Sequence, residues 1–281
     1  MKYGIISLRG DDIMEDGLLS PRSDLIFKLI FSRNMDILTA FLQAVLDLPE
    51  DEYEQLTIMD PHLKQDFNDD KSGILDVKIH TKSGKVIDVE VQVSNVPQMR
   101  ERIIFYTAKM VTEQIGKGEE YEAIKRVISI VITDYRLIPE NERYHNRYRL
   151  YDSETGSQFT DLLEVDVLEL PKLPAEHDNT ELWNWMMFLK SERKEDLSML
   201  EERNPHIKKA VGILKELSQD ERTRLLYEER EKARRDMVSR INGAVREKMQ
   251  ETARNLLTLG VPIETIAKAT DLSEDDIKKL Q

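Results

Sequence analysis

Apolar residues in the first part of the chain recur at the spacing of an α-helix. Ser23 or Asp24 can cap this helix, because short polar side chains accept hydrogen bonds from the first free backbone N–H groups. The apolar positions that follow are Ile26, Phe27, Ile30 and Phe31. A second helix is predicted over residues 35–46, ending before Pro49. This part of the chain is therefore expected to contain two amphipathic helices.

Alternating and β-branched segments follow and predict a sheet. Residues 74–80 and 86–93 alternate between apolar and polar side chains on either side of Ser83 and Gly84, which predicts a β-hairpin. Residues 99–115 return to helical spacing and predict a helix. The other predicted strands are residues 55–58, 127–133, 144–150 and 161–170. This order of helices and strands predicts a mixed α/β (α+β) sheet flanked by helices.

The second part of the chain has a helical pattern. Residues 182–189 and 207–217 carry apolar stripes, whereas residues 221–249 are dense in Arg and Glu and predict a long charged helix. Two short helices beyond Gly260, the last capped by Ser273, resemble half of a helix-turn-helix. We therefore predict a core domain at 1–180, a helical region with the long charged helix at 181–250, and a small helical hairpin at 251–281.

Composition and charge narrow the class of protein. The chain has 281 residues, no Cys and a net charge of −13, which leaves no thiolate metal site and disfavours non-specific binding to a polyanion. Only residues 221–250 are net basic, with nine Lys and Arg against six Asp and Glu. No apolar run approaches the ~20 residues needed to span a bilayer. We expect a cytoplasmic protein whose metal ligands, if any, are oxygen or nitrogen.

Acidic residues gather on the predicted hairpin. Asp76 and Lys78 share one face of its first strand, and Asp88, Glu90 and Gln92 share one face of its second. A tight turn brings Asp76 and Glu90 to the same end of the hairpin. Carboxylates held together are costly unless a cation neutralises them, and a hard divalent ion with oxygen ligands is the usual one. The pattern predicts metal-dependent hydrolysis, although an exposed strand face shows the same alternation.

These residues resemble a known family. Asp76, the triplet Glu90-Val91-Gln92 and the segment Ser23-Asp24-x-x-Phe27-Lys28 are similar to motifs of the PD-(D/E)XK nuclease superfamily. They resemble most the Rpn-type branch of recombination-promoting nucleases and transposases, in which Gln takes the place of the usual motif Lys. The resemblance extends over nearly the whole chain. It implies a restriction-endonuclease-like core with a mixed four- to five-stranded sheet, an all-helical C-terminal tail, and a DNA endonuclease connected with recombination or mobile elements.

The resemblance also implies roles for individual residues. Asp76 and Glu90 would hold Mg²⁺, with Mn²⁺ as an alternative, and Gln92 would position the nucleophile. Asp24 would help through water, and Lys78 could supply the positive charge that Gln92 lacks. Leu75 departs from the family pattern, which has Pro directly before the first acid.

Other interpretations remain open at this point. A nuclease scaffold without strong activity could act as a nucleic-acid-binding or interaction module through its helical C-terminal region. The 221–249 helix could pair with a second copy to form a homodimer, or its arginines could form a solvated face. Arg102 and Tyr106 could contact a phosphate, although aromatic residues at helical spacing usually pack in the core. The five histidines lie too far apart in sequence to indicate a zinc site.

Overall fold

The computed structural model describes residue 14 and residues 17–59, 77–95 and 98–280. The strands are β1 Thr57–Met59, β2 Val77–His80, β3 Val86–Gln92, β4 Val127–Thr133, β5 His145–Tyr151 and β6 Gln158–Glu169. The helices are α1 Asp24–Ser32, α2 Met35–Val45, α3 Met99–Thr112, α4 Glu181–Lys190, α5 Lys194–Arg203, α6 Pro205–Gln219, α7 Glu221–Thr258, α8 Ile263–Thr270 and α9 Glu274–Lys278.

All six strands lie in one mixed sheet. Their order is β1-β2-β3-β4-β6-β5, with β3, β4 and β6 parallel to one another. The outer strands are antiparallel to their neighbours, β1 and β2 on one side and β5 on the other. The mixed α/β prediction is confirmed. The four or five strands implied by the resemblance are too few for the described sheet, because the short β1 pairs with β2 and extends the edge.

One face of the sheet packs against α1, and α2, α4 and α6 belong to the same hydrophobic core. The apolar side chains of β3 on this face alternate with its polar ones, and they join the main core of the protein. On β4 the same face carries Ile128, Ile130 and Ile132, which are fully buried. Phe31, Phe41 and Trp185 form an aromatic group in this core, with ring centroids 5.2–5.9 Å apart. The chain thus buries its largest side chains on the face opposite the acidic residues.

The other face packs against α3. Met99 and Ile103 meet Val131 of β4, and Tyr106 meets Val86 and Val127 at the amino ends of β3 and β4. A hydrogen bond of 2.8 Å joins Thr107 of α3 to Ser129 of β4, so the buried hydroxyls are satisfied. The polar residues of β3 therefore face α3.

Capping side chains explain the start of some of the helices. Thr180 and Ser273 cap α4 and α9 by accepting hydrogen bonds from backbone N–H groups three residues later. The long charged helix extends beyond its predicted end at residue 249, because α7 runs without a break from Glu221 to Thr258. No Gly or Pro lies between Met249 and Thr252 to interrupt it.

The chain divides into two compact units, one within residues 11–227 and one that contains residues 228–281. The second unit has its own core, formed by the end of α7 with α8 and α9. Its buried residues are Met249, Ala253, Ile266, Leu272 and Ile277. The predicted boundaries at 180 and 250 stay predictions. Among the described helices, none combines the length and the apolar character needed to cross a membrane.

Candidate functional site

Strand β3 carries the candidate site on the face that it turns toward α3. Asp88 and Glu90 are only 3% and 7% exposed, and Gln92 ends the strand and is half-buried. Alternate residues of a strand share a face, so the three polar side chains point the same way. Ionisable side chains are seldom buried unless they are compensated or functional. The strand therefore presents buried carboxylates beside α3.

Glu90 and Gln92 are in direct contact. Gln92 Nε2 donates a hydrogen bond to Glu90 Oε1. Burial raises the pKa of the Glu90 carboxyl above its usual range, while the charge of Arg102 and the hydrogen bond from Gln92 act in the opposite direction. The structure thus brings together two of the predicted site residues. A carboxyl group with a raised pKa in a polar cluster is typical of functional sites.

Two further side chains on this face surround Glu90. Arg102 of α3 is exposed, and its guanidinium lies over the ring of Tyr106 at 5.3 Å from the centroid. Tyr135 follows β4, and burial together with the charge of Glu90 raises the pKa of its phenol. The Tyr135 hydroxyl is buried and has no hydrogen-bond partner among the described residues. It stays protonated and is a hydrogen-bond donor at neutral pH.

The segment after β4 connects the site to α1. The Asp134 N–H donates to the Gln92 carbonyl oxygen at 3.1 Å, so this segment lies at the carboxyl end of β3. The Arg22 guanidinium forms an ion pair with Asp134 at 3.5 Å, and both side chains are at least 95% buried. Arg22 also pairs with Glu192 at 3.0 Å. The chain just before α1 is thus fixed at the sheet edge where Gln92 lies.

Asp24, the third predicted acid, starts α1. Its carboxylate accepts a hydrogen bond from the Leu25 N–H at 2.7 Å, which suits an acidic side chain at a helix N-terminus. The Arg22 ion pair brings this first turn to the same edge of the sheet as Gln92. A role for Asp24 in chemistry stays a prediction.

Lys78 lies on the same face of the sheet as Glu90, one strand away. It is the register partner of Asp88 in the antiparallel pair of β2 and β3, and its side chain is half-buried. Directly opposed residues of opposite charge stabilise such a pair. Asp76 lies outside the described residues, so its predicted role as a metal ligand stays a prediction.

The carboxylate oxygens at the site suit Mg²⁺, but the described residues do not form a complete set of metal ligands. Within residues 14, 17–59, 77–95 and 98–280, no cluster of three or more His, Cys, Asp or Glu side chains could hold a metal ion. Glu90 offers a buried carboxylate, and carboxylate oxygen is a ligand that Mg²⁺ prefers. Asp76 would have to supply the second carboxylate.

Three residues at this site were not predicted: Arg22, Asp134 and Tyr135. Arg22 precedes the first predicted helix, and Asp134 and Tyr135 follow directly after the β-branched strand. Polar residues just beyond a buried parallel strand lie at the edge of the sheet where sites form, and this was the available signal. The ion pair between Arg22 and Asp134 joins residues far apart in sequence, and no sequence pattern indicates it.

Two family models match the chain. A family model described as PD-(D/E)XK nuclease family transposase matches residues 21–244. A second model, described as the C-terminal helix-turn-helix domain of the Rpn/YhgA-like nuclease family, matches residues 246–281. No curated protein and no solved structure gave a significant match.

Proposed function

The chain belongs to the PD-(D/E)XK nuclease family of transposases, and on this premise we propose that it is a Mg²⁺-dependent DNA endonuclease. The observation that supports the proposal most is the buried Glu90 carboxylate, hydrogen-bonded to Gln92 at the carboxyl end of a parallel strand. The family match supports a nuclease connected with mobile elements. Cleavage of DNA, dependence on Mg²⁺ and the roles of single residues are the proposal.

Glu90 and Asp76 would hold the cation, with Mn²⁺ as an alternative. When bound, such an ion neutralises the scissile phosphate and lowers the pKa of the attacking water. In the reaction the water oxygen bonds to phosphorus while the bond to the leaving oxygen breaks; the water gives one proton to solvent, and the leaving oxygen takes one from solvent. Gln92 would orient the water, because its amide already lies against Glu90 and has both donor and acceptor atoms.

The roles of Asp24 and Lys78 are secondary in this proposal. Asp24 would act through water from the first turn of α1, which the Arg22 ion pair holds at the same sheet edge. Lys78 would add positive charge from β2, where its register partner is the acidic Asp88.

A plasmid assay tests the proposal. Wild-type protein with supercoiled plasmid and Mg²⁺ is expected to nick or linearise the DNA, and Asp76→Ala and Glu90→Ala are expected to abolish this. Glu154→Ala is the matched control, because Glu154 is an exposed residue in the turn after β5. It should cut like wild type. Equal activity of the Asp76→Ala protein would refute the assignment.

A second candidate function is supported by the neutral Gln92 together with the match of residues 246–281 to a helix-turn-helix domain. In this alternative the protein binds nucleic acid or a partner through its C-terminal helices and does not cut. Calorimetry combined with the cleavage assay separates the two, because in the alternative the retained carboxylates bind Mg²⁺ but no cleavage appears with Mg²⁺, Mn²⁺ or Co²⁺. Cleavage with any of these ions would exclude the alternative.

We further propose that α7 contributes to a homodimer. Leu225 and Leu226 on this helix are 57% and 43% exposed, and exposed leucines on a long charged helix are typical of paired helices. Sedimentation of the Leu225→Glu/Leu226→Glu protein tests this, since the mass should fall from dimer to monomer. A wild-type monomer would contradict it. The cytoplasmic location expected from the sequence stays a prediction.

A further inference from the structure

Arg102 lies level with Glu90 on the α3 face of the sheet. The next residue, Ile103, packs in one apolar cluster with Val131 of β4. Val131 is in turn the register partner of Glu90 on the neighbouring parallel strand. Because registered residues of parallel strands share a face, α3 passes over the sheet at the height of Glu90. Arg102 thus lies beside the candidate site.

The Arg102 guanidinium contacts an aromatic ring that restrains its position. The guanidinium lies over the ring of Tyr106, which is 8% exposed and fixed in the core, and a cation–π contact of this kind restrains the charge. In the described part of the chain, Arg102 forms no salt bridge. The contrast is Arg100, whose guanidinium binds Glu140 at 2.8 Å and the Leu137 carbonyl.

Arg102 also makes an electrostatic contribution at the carboxylate, since its charge opposes the effect of burial on the pKa of Glu90. A phosphate that approaches Glu90 brings negative charge toward a carboxylate and requires a nearby cation. Gln92 is neutral and does not supply it. Lys78 lies opposite Asp88, whereas Arg102 is exposed and has a planar fork of donors that matches phosphate oxygens.

We propose that Arg102 is a catalytic residue that binds the scissile phosphate and supplies the positive charge that Gln92 lacks. The proposal rests on the proposed function for cleavage, but its binding step is measurable separately. Tyr106 acts as a positioning residue for Arg102, because its buried ring holds the guanidinium.

Cleavage kinetics provide the first test. With Mg²⁺ and a duplex oligonucleotide, Arg102→Gln is expected to lower kcat by about 10²-fold, as removal of one transition-state donor commonly does. Arg102→Lys keeps the positive charge but not the planar set of guanidinium donors, and its kcat should fall by no more than about 10-fold. Lys117→Gln is the matched control, since it removes one exposed charge beyond the far end of α3 and should cut like wild type. Wild-type kcat in Arg102→Gln would overturn the proposal.

Binding provides the second test, and it does not depend on cleavage. Fluorescence anisotropy with a labelled duplex in EDTA should show weaker binding by Arg102→Gln, with a salt slope smaller by about 1. Lys117→Gln should bind like wild type. An unchanged slope in Arg102→Gln, or an equal loss in Lys117→Gln, would overturn the proposal. If wild type does not cut in the presence of Mg²⁺, Mn²⁺ or Co²⁺, the nuclease assignment fails, and the anisotropy result still decides whether Arg102 binds phosphate.

Discussion

Gln92 Nε2 donates a hydrogen bond to Glu90 Oε1, two residues earlier on the same strand. A neutral donor at this position stabilises the ionised carboxylate without adding a positive charge. Burial acts against ionisation of Glu90, and the hydrogen bond offsets part of that effect. The site thus retains a usable carboxylate although it lacks the usual Lys.

The first prediction concerns Gln92 and rests on this contact. Gln92→Glu places a like charge against Glu90, so one of the two carboxyls takes a proton, and we expect cleavage to fall by about 10²-fold. Gln92→Lys still donates to Glu90 and should keep or exceed wild-type activity. The measurement is the rate of plasmid nicking with Mg²⁺.

Gln158→Glu is the control for this change, because Gln158 is exposed at the amino end of β6, away from the carboxyl ends of the strands. It should leave the rate unchanged. Full activity in the Gln92→Glu protein would show that the contact with Glu90 has no part in catalysis.

The second prediction concerns the buried pair of Arg22 and Asp134. Arg22→Met leaves the Asp134 carboxylate buried without this cation, and breaking a buried pair in this way costs about 3–5 kcal/mol in the free energy of unfolding. Lys209→Met tests the same loss at an exposed pair, where Lys209 lies 2.8 Å from Asp36. That change should cost about 0–1 kcal/mol. Urea denaturation measures both, and equal costs would contradict the argument.

Much of the fold could be predicted from periodicity, because burial imposes it. The β-branched run at 127–133 is β4 with the predicted bounds, and the apolar spacing of Ile26, Phe27, Ile30 and Phe31 gives the buried face of α1. Residues 194–203 form α5 although their apolar positions are sparse, since Leu197 and Leu200 are buried in the core and Met199 packs against it. Packing on neighbouring helices stabilises that helix more than its own pattern does.

The candidate site could be predicted only where its residues are close in sequence. Glu90 and Gln92 share a strand face, so alternation alone placed them together. The contacts of Arg22 with Asp134, and of α3 with the sheet beside Glu90, depend on how separate elements pack. Such long-range pairs leave no periodic signal in a single sequence.

The third prediction concerns the support of the segment that carries Tyr135. Glu169 accepts hydrogen bonds from the Leu137 and Ile138 N–H groups at 2.7 and 3.1 Å, and it pairs with Lys172 at 2.6 Å. Both charged side chains are fully buried. Lys172→Met should therefore cost about 3–5 kcal/mol in the free energy of unfolding, because it leaves the Glu169 charge without a counter-ion.

An exposed pair of the same spacing is the control for Lys172→Met. Lys248 and Glu251 are also three residues apart, and their side chains are 61% and 57% exposed. Lys248→Met should leave the free energy of unfolding nearly unchanged, because solvent screens this exposed pair. If Lys172→Met proves as mild as this control, the buried pair does not stabilise the segment after β4.

The fourth prediction concerns pH and the turn of the hairpin that carries Glu90. Glu52 accepts hydrogen bonds from Thr81 at 2.6 Å and Ser83 at 2.9 Å, and it pairs with Lys85. Burial raises the pKa of Glu52, but the hydrogen bonds from Lys85, Thr81 and Ser83 outweigh it and lower the pKa to about 2.

A lowered pKa makes the folded state bind fewer protons than the unfolded state. The stabilisation from Glu52 is therefore complete above the pKa of about 4.3 of a glutamate in an unfolded chain, and is lost as the pH falls toward 2. Urea denaturation of wild type and Glu52→Gln at about pH 6 and about pH 3 should show a large difference at the higher pH and a smaller one at the lower. Glu229→Gln, on the exposed side of α7, should show no such change, and a difference for Glu52→Gln that grows on acidification would contradict the assignment.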